Sequence, residues 1–78
     1  MDLDDFVKNF AEQFNETDPS LITPETKFKE LEEWSSLISL SLIAMADEKY
    51  NVKLKGEDIK KAIYVKDLYD VINARMSS

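Results

Sequence analysis

The sequence predicts an all-α domain built as a four-helix bundle, with three longer helices and one short one. Three observations carry that prediction. The 78 residues include one glycine and two prolines, too few turn residues for a sandwich or barrel of short strands. Apolar residues recur at helical spacing in both halves of the chain. The one alternating stretch, Val52-Lys53-Leu54, is short and has no second strand to pair with, so it reads as loop.

Residues 3–14 set Leu3, Phe6, Val7, Phe10, Ala11 and Phe14 on one helical face. Asp2 is the expected N-cap, and Asp4 and Asp5 oppose the positive end of the helix dipole. A phenylalanine stripe at this spacing reads as core and not as a ligand site. Residues 15–35 form a long connection rich in turn and cap residues, among them Asn15, Asp18-Pro19-Ser20 and Thr23-Pro24. Loops longer than ~12–15 residues are uncommon unless tied down. Leu21, Ile22, Phe28 and Leu31 are the residues expected to pin this one, and Thr23–Thr26 is expected to make a single helical turn.

The second helix is expected over 36–50. Leu37, Leu40 and Ala44 form its stripe, and Leu42, Ile43, Ala46 and Tyr50 widen the apolar surface. So wide a surface implies a central position, with Ser39 and Ser41 left to solvent. Residues 56–62 can form a short helix with acids early and lysines late. Residues 66–75 form the last helix, turning Leu68, Tyr69, Val71 and Ile72 inward, and Met76-Ser77-Ser78 should fray. Phe6, Phe10, Leu42, Ala46 and Ile72 are expected to line the core, where Ala46 leaves more room than leucine would. No repeat or linker divides the sequence, so residues 1–78 read as one domain.

Composition narrows the function. With 44% apolar and 33% charged residues the chain is a compact globule and not a disordered tail. Its net charge of −6 is uneven: residues 1–33 hold ten acids and three lysines, and residues 34–78 hold six acids and seven bases. An acidic chain repels phosphate backbones, which argues against nucleic acid and suits docking to basic protein surfaces. There is no cysteine and no histidine, so disulfides, thiolate metal sites, cysteine nucleophiles and the usual neutral-pH base are all missing. Glu30, Glu32 and Glu33 lie close together, but acids ahead of a helix read as electrostatic caps. Asp2-Leu3-Asp4-Asp5 lacks the spacing of a calcium loop, and no glycine-rich phosphate loop exists. No apolar run is long enough to span a membrane, and acids follow Met1 where a signal peptide carries positive charge. The expectation is a cytoplasmic, monomeric protein that is not an enzyme.

Ser35-Ser36 remains. On physics alone, serine before an apolar helix is an N-cap. Yet Leu31-Glu32-Glu33-Trp34-Ser35-Ser36-Leu37, followed by Leu40, Leu42, Ile43, Asp47-Glu48 and Tyr50, resembles the acyl carrier protein family. The likeness is to bacterial carriers in which tryptophan precedes an Asp-Ser-Leu motif at the start of the second helix. Phe28 matches the aromatic of the long loop, and Val65-Lys66-Asp67-Leu68-Tyr69-Asp70-Val71-Ile72 matches the last helix.

The resemblance implies that Ser36 accepts a covalent 4′-phosphopantetheine arm from coenzyme A. A phosphopantetheinyl transferase would supply magnesium and base, and acyl-loading and acyl-transfer enzymes would follow. It also implies that partners dock along the second helix, at Leu37, Ile38, Ser41, Met45, Asp47 and Glu48. The pathway would be fatty acid, polyketide or related biosynthesis. Two departures stand out. Ser35 replaces the usual aspartate of the transferase-docking signature, implying a helix cap that leaves Ser36 free at the first turn, a dedicated transferase, an altered sequence or a carrier that is no longer modified. Ser41 falls where many fatty-acid carriers have an acid, and Lys49, Lys53, Lys55, Lys60 and Lys61 make the third-helix region basic, implying specialised partners. The competing expectation is an unmodified four-helix adaptor docking a basic partner through the second helix. A small hydrolase would need a base that the sequence hardly offers.

Overall fold

A computed structural model describes residues 2–76 as four α-helices: α1 (Leu3–Ala11), α2 (Ser36–Tyr50), α3 (Gly56–Lys61) and α4 (Val65–Met76). Short 3₁₀ turns at Pro19–Leu21 and Phe28–Glu30 interrupt the long connection. No strand occurs among the described residues. Ser77 and Ser78, expected to fray, lie outside them, as does Met1, while Met76 closes α4. The all-α bundle of four helices is as expected, and Val52–Leu54 is loop.

The first helix ends earlier than its periodicity implies. The Asp2 carboxylate accepts from the Asp4 amide at 2.9 Å, capping the start. Glu12 is the C-cap, and the Gln13 and Phe14 amides donate to Phe10 and Ala11 in a tightened last turn. The next amides, of Asn15, Glu16 and Thr17, turn away to the Glu33 carboxylate. Phe14 nevertheless stays buried, so the phenylalanine stripe outlasts the helix that presents it.

The core is aromatic on one side. Phe6 meets Phe10, Tyr50 and Tyr69, Phe10 meets Phe14 and Phe28, and Trp34 closes the chain of rings against Phe28 and Phe14, with centroids 5.1–6.5 Å apart. Leu42, Met45, Ala46, Leu68 and Ile72 fill the rest. The five expected core residues, Phe6, Phe10, Leu42, Ala46 and Ile72, are all buried.

The long connection is ordered through its backbone. The first amides of α4, from Val65 and Lys66, have no partners within their own helix and donate to the Thr26 and Pro24 carbonyls at 3.1 and 2.9 Å. The Asp67 carboxylate reaches back to the Ile63 and Tyr64 amides, which starts α4 one residue before the expected point. Lys29 donates to the Ile59 and Lys60 carbonyls at the end of α3. Ile22 and Phe28 are buried as expected, but Leu21 is 63% exposed and pins nothing, because its 3₁₀ turn faces it outward.

Correction is needed for the orientation of α2. The inward residues are Ile38, Leu42, Met45 and Ala46. Leu37, Leu40 and Ala44, expected as the core stripe, face solvent, and Ser39 and Ser41 are half-buried. A helix apolar on nearly every side has no periodicity to orient it, so packing on α3 and α4 chooses the face. The helix ends at Asn51, the one described non-glycine residue with positive φ (55°), a conformation asparagine tolerates. The Val52 amide then bonds back to Ala46.

At the far end of the bundle Arg75 grips Asp58 with two hydrogen bonds, 2.7 and 2.8 Å, tying the end of α4 to the start of α3. The Arg75 guanidinium holds the Asp58 carboxyl below its ordinary 3.8, and the Tyr64 and Ile63 amides do the same for Asp67. The Ser20 amide lowers Asp18 likewise. Folded values depressed below unfolded ones mean that stability is full above the ordinary range and is lost as pH falls through the folded values. We therefore expect the thermal midpoint to be level from pH 7 down to about pH 5 and to drop steeply below about pH 4. A midpoint at pH 3 equal to that at pH 7 would contradict this.

Candidate functional site

The site is the junction where the long connection enters α2. Leu31 to Trp34 form a turn in which the Trp34 amide donates to the Leu31 carbonyl at 3.0 Å. The Trp34 ring is half-buried against Phe28, 5.1 Å away and edge-on, and this holds the approach to the bundle. Ser35 is extended (φ −158°, ψ 172°), and its hydroxyl accepts from the Ile38 amide at 3.4 Å, a long but recognisable N-cap. Its carbonyl accepts from Ser39 and starts the helical ladder.

Ser36 is the first helical residue and is exposed. Among the described residues nothing hydrogen-bonds its side chain. The two adjacent serines thus divide: one is used by the helix and the other is presented to solvent. No acid lies in the first turn of α2, so the partial positive charge of the helix start is not cancelled from within.

Below Ser36 the outward stripe runs through Leu37, Leu40 and Ala44 to Asp47, one surface ridge of the helix. Leu37 is 72% exposed and Leu40 63%. Residues 34–46 carry no charged side chain at all. Asp47 and Glu48 are exposed at the lower end, but Lys53 clasps both oxygens of Asp47 at 2.9–3.0 Å. Of the six docking positions read from the sequence, Leu37, Asp47 and Glu48 are on the surface. Ser41 is half-buried, and Ile38 and Met45 are in the core, 6% and 4% exposed.

Two features escaped sequence reading. Leu40 and Ala44 belong to the surface ridge, which no periodicity in so uniformly apolar a helix could reveal. Glu33 is the other. Its carboxylate accepts from the amides of Asn15 (2.7 Å), Glu16 (2.9 Å) and Thr17 (2.8 Å) and from the Thr17 hydroxyl (2.8 Å). Partial burial pushes its pKa up, but these donors outweigh that and leave it below the ordinary 4.5. An acid near a cluster of turn residues 16–18 positions earlier was the only available signal, and it does not single out Glu33 from Glu30 or Glu32.

No group of three or more potential metal-ligating side chains occurs among the described residues, and no described helix is long and apolar enough to cross a membrane. No family model matches the chain. It is 33% identical over 61 residues to the acyl carrier protein of Thermosynechococcus vestitus, a match covering 78% of this chain and 75% of that protein.

Proposed function

The chain belongs to the acyl carrier protein family, and from that premise we propose that it carries acyl or related intermediates on a 4′-phosphopantetheine arm attached to Ser36. The observation that carries the reading is the exposed, unengaged Ser36 hydroxyl beside a Ser35 that serves as cap. With Ser35 on the helix, the aspartate common at that position is not needed to start α2.

The residues present fit the arm. Ser36 Oγ faces solvent, its neighbours offer no side-chain charge, and the uncancelled helix start favours an attached phosphodiester anion. Ser36 Oγ forms the new bond to the pantetheine-side phosphorus of coenzyme A. The adenosine bisphosphate leaves, and the serine proton passes to a base on the phosphopantetheinyl transferase. Once bound, the arm supplies a thiol that holds acyl groups as thioesters. The chain has no cysteine to compete for them. Its own residues bind and present; the chemistry is the partners'.

Docking in this reading runs along the ridge of Leu37, Leu40 and Ala44, with Asp47 and Glu48 at its lower end. Contact there is chiefly apolar, since the upper helix has no charge to offer and Asp47 is already paired. Ile38 and Met45 act beneath that ridge, as the packing that sets it, and half-buried Ser41 flanks it. The partners are acyl-loading and acyl-transfer enzymes of fatty acid, polyketide or related biosynthesis, the site of action is the cytoplasm, and the working state is a monomer.

The test is a mass measurement. Incubated with coenzyme A, magnesium and a promiscuous transferase, the chain is expected to gain one arm-sized increment, and fragmentation should place it on Ser36. No gain with that transferase or with one from the source organism would favour an unmodified adaptor. One observation supports that second reading: the leucine ridge is exposed and uncharged on the bare chain, a contact surface that calls for no arm.

A further inference from the structure

We propose that Glu33 is a positioning residue for arm attachment: its carboxylate anchors the approach to α2 on the turn after α1, and so holds Ser36 where a transferase can take it up. The proposal rests on the assignment of Ser36 given above.

Four donors from three consecutive residues converge on one side chain. Such a carboxylate cannot shift without releasing the Asn15, Glu16 and Thr17 amides together, and replacing their hydrogen bonds with water restores freedom to the whole turn. Glu33 stands three residues before Ser36, with only Trp34 and Ser35 between. Trp34 is fixed from the other side by Phe28 and Phe14. The approach is therefore held at two adjacent residues, by hydrogen bonds at one and by ring packing at the other. Beyond them the Ser35 side chain is tied by a 3.4 Å cap and its carbonyl by the Ser39 amide, both bonds made to α2 itself and not to the long connection. Of the two restraints, Glu33 alone is electrostatic, and it closes a loop of 16–18 residues back to the end of α1.

The surroundings make the anchor consequential. Glu33 shares one surface depression with Glu16, Asp18 and Glu32, along with Thr17, Leu21 and Leu31. Like charges gathered there favour separation of the two segments. The amides of residues 15–17 offset that repulsion only while a carboxyl or carboxamide oxygen sits among them. Losing the Glu33 side chain removes one of the like charges but all four hydrogen bonds, while Glu16, Asp18 and Glu32 stay in place. The expected consequence is a smaller population of chains with Ser36 correctly presented. A smaller competent fraction weakens apparent binding in proportion and leaves the bound complex unchanged.

The experiment measures arm attachment to the full chain by a promiscuous transferase with coenzyme A and magnesium, varying the carrier concentration. Glu33→Ala is expected to raise KM for the carrier about tenfold with kcat within about twofold of the parent. Glu33→Gln retains one acceptor oxygen and should recover most of the loss. Asp58→Asn, which breaks the Arg75 pairing at the other end of the bundle, destabilises the fold and is expected to leave KM unchanged. Amide exchange at Ile38 and Ser39 should quicken in Glu33→Ala and not in Asp58→Asn. Where Glu33→Ala is unfolded by circular dichroism, Glu33→Gln carries the measurement, with KM raised about two- to threefold. An unchanged KM in the folded Glu33 variants, an equal rise in Asp58→Asn, or a fall confined to kcat overturns the proposal while leaving Ser36 as the attachment point. A parent chain that takes up no arm overturns both.

Discussion

Phe28→Ala is expected to lower the stability of the domain by about 3–5 kcal/mol, the range for removing a large buried aromatic. Phe28 is fully buried, and its ring is edge-on to both Phe10 (5.4 Å, 74°) and Trp34 (5.1 Å, 70°). It is the joint between the α1 stripe and the approach to α2. Truncation removes the ring's own burial, leaves a cavity, and withdraws edge contacts from two neighbours. A folded chain of 78 residues has a total stability of roughly 4–12 kcal/mol. The variant should therefore sit close to its folding threshold, with a thermal midpoint more than about 10 °C lower. Thermal melts followed by circular dichroism read this directly. A midpoint within about 3 °C of the parent's would mean the ring is not the joint described here.

The paired serines should respond in opposite ways. Ser36→Ala is expected to abolish arm uptake, because the accepting oxygen is gone. It should change stability by less than about 0.5 kcal/mol, since the side chain is exposed and no described residue hydrogen-bonds it. Ser35→Ala is expected to retain uptake and to cost about 0.5–1 kcal/mol, the lower part of the range for losing an N-cap, given a contact as long as 3.4 Å. Intact mass and chemical denaturation measured on the same two variants check both halves. An arm that persists in Ser36→Ala and vanishes in Ser35→Ala would reverse the roles.

These expectations draw on different depths of information. The phenylalanine stripe, the Asp2 cap, the limits of α2 and the burial of Ile72 follow from local rules of spacing and capping, which act within a few residues. The candidate serine is legible too, because a cap and an attachment point can be adjacent and the flanking residues carry the family resemblance. Leu40 and Ala44 were not legible as surface. Their helix is apolar in almost every direction, and only contact with α3 and α4 decides which leucines are covered.

Glu33 marks the same boundary from the polar side. Its chemistry is plain in the sequence, but its partners lie 16–18 residues away, and Glu30 and Glu32 were equal candidates until the chain folded. By itself, then, the sequence determined the helix count, the aromatic side of the core, the start of α2 and the serines that open it. Tertiary structure alone decided which face of α2 meets the world, where α1 stops, and which acid ties the two together. The reason is physical: spacing and capping are settled among near neighbours, whereas orientation and long-range pairing depend on surfaces that exist only when the helices meet.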